Sequence, residues 1–231
     1  MKSRIFLTLL SSLALLTGCA TAPQMPVALS PTALPSAGDA HIGVMMGTLP
    51  KVDTSFPGAG CLLCMAAASM ANSSLTKHAQ ALPSDDLLLV KGELADVLRK
   101  KGQKVTVIDD AVKIAELPNA STQGPNLALK DFSALQKKYK LDKILVIDIV
   151  EVGISRNYSA YVPTSDPKGV VTGSAYLVDL KTNTYEWYLP LKQSKSANGA
   201  WDEAPAFPSL SNAYFQAIEG ARDSLVQPFV N

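Results

Sequence analysis

Cysteine and histidine are scarce in this chain: three of the first and two of the second among 231 residues. That leaves little from which to build a metal centre, and His41 and His78 have no carboxylate or thiol at ligand spacing. Net charge is nearly absent too, at +1, which implies neither a nucleic acid nor an acidic surface as partner. Beyond the amino terminus no run approaches the ~20 apolar residues that a membrane span needs. There is no Gly-x-Ser-x-Gly elbow and no glycine-rich phosphate loop. Carboxylate spacing suggests no glycosidase pair, and neither internal repeats nor coiled-coil heptads are present. What the chain does have is ordinary: 47% hydrophobic residues, enough for a globular core and too many for wholesale disorder.

The first nineteen residues, MKSRIFLTLLSSLALLTGC, carry the clearest signal. Lys2 and Arg4 form a cationic start, Ile5 to Leu16 an apolar run broken by Thr8, Ser11 and Ser12, and small residues then lead to Cys19. This is the grammar of a signal peptide and is too short to span a bilayer. Leu16-Thr17-Gly18-Cys19 resembles the bacterial lipobox. That resemblance implies removal of residues 1–18 and a thioether-linked diacylglycerol with an N-acyl chain such as palmitate on Cys19, with no other cofactor. A single acyl chain binds a membrane only marginally, whereas three hold firmly. Ala20 after the cysteine is similar to the sorting signal for the outer membrane, with the body on the periplasmic face. An ordinary signal peptide with an incidental cysteine, or an uncleaved anchor, is the competing reading. Residues 19–38, with Pro23, Pro26, Pro31 and Pro35, read as the lipidated end and a flexible tether. Residues 39–231 then form a single α/β domain.

Within that domain the pattern alternates between strand and helix. His41 to Leu49 reads as a first strand. Residues 50–60 read as loop, and Cys61 to about Ala81 as a buried helix, because its first half is apolar nearly all round. Asn72-Ser73-Ser74 can interrupt it. Ser84 can cap the next helix, whose face carries Leu87, Val90, Leu94, Val97 and Leu98, and Gly102 stops it. Gln103 to Ile108 is a strand, residues 109–128 loop with a short helical piece, and Lys130 to Tyr139 a short helix with Phe132, Leu135 and Tyr139 on one face. Lys143 to Ile154 is apolar on both faces at first, so it belongs in the sheet centre. Asp148 is expected to share a face with Ile144, Val146, Val150 and Val152. Val170 to Leu180 and Thr184 to Leu191 make a hairpin turned by Lys181-Thr182-Asn183. Its second strand points Tyr185, Trp187, Leu189 and Leu191 inward and Glu186 and Tyr188 outward. Pro190 puts that strand at an edge, or ends it there. A last helix carries the stripe Leu210, Ala213, Tyr214, Ala217, Ile218, Ala221 and Leu225. The order β-α-α-β-α-β-β-β-α predicts a mixed sheet of about five strands packed with helices.

The stretches PGAGCLLCMAAASMANSSLTKH, ELADVLRKKGQKVTVID, KILVIDIVEVGI and GSAYLVDLKTNTYEW resemble a family of uncharacterised bacterial lipoproteins. That family is similar in fold to the N-terminal domain of TolB and the core domain of the curli-secretion lipoprotein CsgG. The resemblance implies partners among envelope assembly or transport proteins and transfers no active site. No long amphipathic segment suitable for a CsgG-like pore barrel is present.

Cys61 and Cys64 form the one sharp chemical motif. A CxxC at a helix start lowers the pKa of its first thiol and favours thiolate attack. Gly60 stands where thioredoxin-type enzymes carry an aromatic, no proline directly precedes the long central strand, and Met65 occupies the place of a haem-attaching histidine. A structural disulfide, or two small packed side chains, competes with redox chemistry. Met45, Met46, Met65 and Met70 suit core filling better than soft-metal binding. Asp148 is a candidate buried acid. Tyr158, Tyr161, Trp201 and Phe207, in polar loops, form a candidate partner surface, or else fold back over the core. Three readings follow. The first is a non-enzymatic, membrane-anchored protein that binds envelope proteins and no nucleic acid. The others are a tethered thiol-disulfide oxidoreductase using Cys61 and Cys64, and a lipoprotein that binds a small ligand or lipid.

Overall fold

Strand β4, Lys143–Ser155, runs through the middle of the molecule, and the rest is arranged about it. A computed structural model describes residues 23–34 and 40–230. Its order is β1 (His41–Gly47), β2 (Asp53–Ser55), α1 (Leu62–Ala71), α2 (Ser73–Ala79), α3 (Asp85–Lys100) and β3 (Lys104–Val112). A 3-10 turn (Ile114–Glu116), α4 (Ser133–Tyr139), β4, β5 (Tyr158–Ser159), β6 (Val162–Pro163), β7 (Lys168–Asp179), β8 (Thr184–Ser196) and α5 (Pro208–Val230) follow. The sheet order is β3-β1-β4-β7-β8, with β2 beside β4. β3, β1 and β4 are parallel, while β4, β7 and β8 are antiparallel. Mixed pairing follows from connectivity: helices carry the chain between the parallel strands, and a tight turn joins β7 to β8. Among the described residues no helix is long and apolar enough to cross a membrane.

Both faces of the sheet are covered, which explains the apolar run at the start of β4. Leu145, Ile147 and Ile149 face α3 and α5, whose Leu87, Val90, Leu94 and Leu98 and whose Tyr214, Ala217, Ile218, Ala221 and Leu225 fill one core. Ile144 and Val146 point the other way, toward Phe132, Leu135, Ile114, Tyr176 and Tyr185. The expected stripes of α3 and α5 are therefore the buried ones. Ser84 precedes α3 but makes no side-chain cap, whereas Gly102, at φ +81°, ends the turn after it in the left-handed region. Asp131 accepts the Ser133 N–H at 2.8 Å, so α4 starts three residues later than Lys130.

Two bulges change the expected faces. Ile149 pairs with Gly173 and Glu151 with Thr172, which leaves Val150 as an extra, exposed residue in β4. Val152 therefore returns to the core of Ile147 and Ile149, opposite Asp148. In β8 the partners shift between Trp187 and Tyr185, with Glu186 extra. Tyr185 joins one core and Trp187 the other, and Tyr188 is not outward but stacks 6.0 Å from Tyr176. A bulge reverses the alternation beyond it, and the one-letter pattern carries no mark of this.

β8 is an edge strand, as Pro190 requires, but its edge is not bare. Val27 exchanges two backbone hydrogen bonds with Tyr188, at 2.9 and 3.0 Å. Gln24 bonds Asn126 at 2.9 Å, Ala33 is buried, and Leu29 and Leu34 pack on the core. The expected tether is corrected here: residues 23–34 are docked chain that covers part of an edge otherwise open to pairing. The driving contacts are apolar, together with the Lys143 ammonium, which donates to the Ala33 carbonyl at 2.7 Å. Residues 1–22, including the lipobox and Cys19, lie outside the described residues.

Candidate functional site

Beyond the carboxyl end of β4 the chain builds a small separate platform. β2 pairs with the last residues of β4, and Gly153, at φ +149°, lies where a Cβ would fall 1.9 Å from the Asp53 carbonyl oxygen. Gly58, at φ +90°, stands equally close to the Tyr158 carbonyl. Only glycine allows these two approaches: the first presses β2 against β4, and the second presses the loop before α1 against the β5–β6 hairpin. Phe56, Ala59, Cys64, Ala68 and Tyr158 fill the space between, with Phe56 edge-on to Tyr158 at 5.7 Å.

Helix α1 stands on this platform and is not buried. Cys64 and Ala68, four residues apart, are its only inward side chains, and both are small. The large ones point out: Leu62 is 88% exposed, Leu63 70%, Met70 78% and Met65 42%. The expectation of a buried helix is thus wrong. A sequence apolar on every side cannot say which side is covered, and here the covered stripe is one residue wide. Tyr161 and Val162 on the hairpin are exposed as well. A soluble surface rarely carries so much large apolar side chain in one place without use for it.

Cys61 and Cys64 form a disulfide at the head of the helix, so the reading as two merely packed thiols is set aside. Cys61 is the N-cap and is exposed, while Cys64 is buried. The Cys64 N–H donates to Cys61 Sγ at 2.9 Å, and the Tyr161 hydroxyl points to the same sulfur at 3.7 Å. The bond closes the first turn of the helix and fixes where the exposed leucines begin.

Asn72 ends α1 and is buried in a polar knot. Its Nδ2 donates to the Ala68 carbonyl at 2.7 Å and to the Tyr158 hydroxyl at 2.6 Å. Its Oδ1 accepts from Arg156 Nη1 at 3.1 Å. Arg156 in turn lies over the Trp201 ring at 4.6 Å and donates to the Ser165 carbonyl. Of the four loop aromatics, only Tyr161 is open to solvent. Tyr158 and Phe207 are buried, and Trp201 is half-buried beneath Arg156. Tyr158 and Trp201 fold back onto the platform and Phe207 packs in a neighbouring cluster with Leu75, Ala79 and Leu210, so these three do not present a surface.

A groove of ≈ 730 Å³ runs along the flank of the helix. Met65, Ser69, Ser73 and Thr76 form one wall, and Thr54, Ser55 and Phe56 belong to the other. Met65 belongs to both the groove and the exposed row, so the two are continuous. The groove mixes apolar Phe56, Pro57 and Met65 with Ser and Thr hydroxyls, and Asp53 and Lys77 also line it. His78 bonds Ser211 at 2.7 Å, and partial burial holds its pKa below the ordinary value. His41 bonds Thr106 and the Lys140 carbonyl. Both histidines are structural, and among the described residues no three His, Cys, Asp or Glu could hold a metal ion. Asp148 sits half-buried on the far side of the sheet near Gly47, and burial raises its pKa. It is not part of the α1 platform.

No family model and no curated protein matches the chain. Solved structures similar to it include the following three. A PelC dodecamer from Paraburkholderia phytofirmans is 8% identical with a TM-score of 0.32, over 89% of this chain and 94% of that one. Lipoprotein GNA1162 from Neisseria meningitidis is 15% identical with a TM-score of 0.31, over 78% and 99%. Protein XCC0632 from Xanthomonas campestris is 14% identical with a TM-score of 0.36, over 88% and 93%. None of these likenesses gives specific support to the TolB or CsgG resemblance, and at such scores none assigns a function.

Proposed function

We propose that this protein is a lipid-anchored, non-enzymatic lipoprotein of the bacterial outer membrane that faces the periplasm and binds another envelope protein through α1. The observation that carries the reading is the exposed row Leu62, Leu63, Met65 and Met70 beside Tyr161. Burying one such side chain against a partner contributes about 1.5–3 kcal/mol. Methionine and aromatic side chains are also enriched in the dry centre of protein interfaces. The Cys61–Cys64 bond holds the start of the helix in place before any partner arrives, which lowers the ordering cost of association. The partner surface that fits is a largely apolar face of a periplasmic domain, with polar groups to meet Ser69, Ser73 and Thr76. A photo-crosslinking residue at Leu63 or Met70 should trap one defined envelope protein in intact cells. Leu62→Glu with Leu63→Glu should abolish the adduct while the protein remains folded. Undiminished capture by that variant would overturn the reading. The anchor is tested separately, since palmitate should label the wild type and not Cys19→Ala.

A specific observation favours a second reading, a tethered thiol-disulfide oxidoreductase: Cys61 is the exposed member of the pair and an N–H already points at its sulfur. A substrate thiolate would attack Cys61 Sγ, with Cys64 leaving as thiolate. A second substrate thiolate would then release the substrate as a disulfide, leaving both cysteines reduced. The reverse sequence would reduce a substrate disulfide. Insulin reduction lost in Cys61→Ser would support this, and an inert pair in the wild type would remove it.

A further inference from the structure

We infer that a second face, built from the docked segment 23–34 and the 123–129 loop, rests on the bilayer surface while α1 is held away from it. The inference rests on the proposed lipidation of Cys19. Only three residues, 20–22, lie between Cys19 and Pro23, the first described residue, a span of four residue steps. A fully extended chain of that length reaches about 14 Å. The flexible tether of nineteen or so residues that the sequence suggests would let the body roam, but Gln24 on Asn126 and Val27 on Tyr188 fasten residues 23–34 of it down. Whatever surrounds Pro23 is therefore close to the lipid surface. A concavity of ≈ 540 Å³ opens there, lined by Pro23, Met25, Gln123, Pro125, Leu127 and Leu129 among others. None of its lining residues is charged. Met25 and Leu129 project from it, 70% and 52% exposed. An uncharged rim with protruding apolar side chains suits the headgroup–acyl boundary, where no counter-charge has to be stripped of water.

The opposite end follows from strand register. Val27 pairs with Tyr188, Tyr188 with Tyr176, and Tyr176 with Val146, near the start of β4. The α1 platform stands beyond Ser155, nine residues further along, which is about 30 Å at strand rise. Anchor face and exposed helix thus lie toward opposite ends of one rigid sheet, and the membrane does not cover Leu62, Leu63 or Met70.

The test uses the full lipidated protein. With Cys19 acylated and Cys61–Cys64 bonded, an introduced cysteine is the one free thiol. Met25→Cys, Leu129→Cys and, as the distal control, Met70→Cys are labelled with the environment-sensitive fluorophore NBD, all at exposed positions. Each is reconstituted into vesicles of phosphatidylethanolamine and phosphatidylglycerol. The expected result is a several-fold rise in emission at 25 and 129, with slowed quenching by aqueous dithionite, and no change at 70. Vesicle-bound protein with unchanged emission at 25 and 129 overturns the inference alone. Protein that fails to sediment with vesicles overturns the anchor reading and this inference with it.

Discussion

Lys143 is the buried cation of the fold, 7% exposed at the start of the central strand. Its ammonium lies 2.6 Å from Glu186 Oε2 and donates to the Ala33 carbonyl at 2.7 Å. One side chain thus holds together the central strand, the bulge of the edge strand and the docked amino-terminal segment. Lys143→Met keeps most of the buried stem and removes the charge and the donors. Losing a hydrogen bond made by a charged donor costs about 1.5–3 kcal/mol. Stranding a fully buried carboxylate costs about 3–5 kcal/mol, but the Glu186 side chain is 21% exposed and keeps some water, so the lower part of that range applies. Both losses belong to one ammonium and do not add in full, so about 3–4 kcal/mol is expected. Urea unfolding should show a lower midpoint with an unchanged slope. Hydrogen exchange should quicken at the Val27 amide, which is held only by Tyr188. Lys143→Met with Glu186→Leu should recover most of the loss, because an apolar pair replaces a buried ion pair at little cost. A single-variant loss below about 1 kcal/mol, with Val27 exchange unaltered, would refute both the clamp and the claim that residues 23–34 are bound chain.

Four other outcomes are expected. Leu62→Glu with Leu63→Glu should shift unfolding free energy by no more than about 0.5 kcal/mol, since both side chains are exposed; a large loss in urea would mean that α1 is covered after all. Gly173→Ala places a Cβ 2.1 Å from the Asp148 carbonyl oxygen, at the β4 bulge, and should cost about 2 kcal/mol or more in the same measurement. Asp148 has its folded-state pKa raised above the ordinary 3.8 by burial, so the unfolded chain releases this proton first as pH rises. Stability is therefore lost, not gained, as pH climbs from 3.8 through the folded-state value. Asp148→Asn should melt higher than wild type at pH 7 and converge with it below 3.8, and melting curves across that range check the sign. Opening the four-residue Cys61–Cys64 ring with Cys61→Ser and Cys64→Ser should cost about 2 kcal/mol by loop entropy, read from the urea midpoint.

Most of the scaffold is legible in the sequence because its signals are periodic and redundant. The α5 stripe from Leu210 to Leu225 repeats the same face over many turns, and every expected member is buried. β4 is apolar on both sides because both sides are covered. Pro190 marks the edge because a missing donor is tolerated only there. What the sequence conceals are single-residue events. Val150 and Glu186 each add one residue to a strand, and from there inward and outward exchange places, so Val152, Tyr185 and Tyr188 sit on faces that the alternation does not predict. The docking of residues 23–34 is equally silent. Prolines point to a tether, but extended chain is also the shape that adds to a sheet edge, and the composition does not tell the two apart.

The candidate site was hidden for a different reason. Apolar residues around the whole circumference of a helix ordinarily mean burial, because a domain core is the usual way to satisfy them. In α1 the sequence demands cover and the chain provides only the stripe through Cys64 and Ala68. The knot of Asn72, Tyr158 and Arg156 fixes one end of the helix to the platform, buried Cys64 and Ala68 seat its inner stripe, and the disulfide braces the first turn internally. The contradiction between local composition and tertiary environment is itself the functional signal. A foldable sequence agrees across levels, and this local disagreement, held in place by buried polar bonds, is what motivates the proposal that another molecule covers α1.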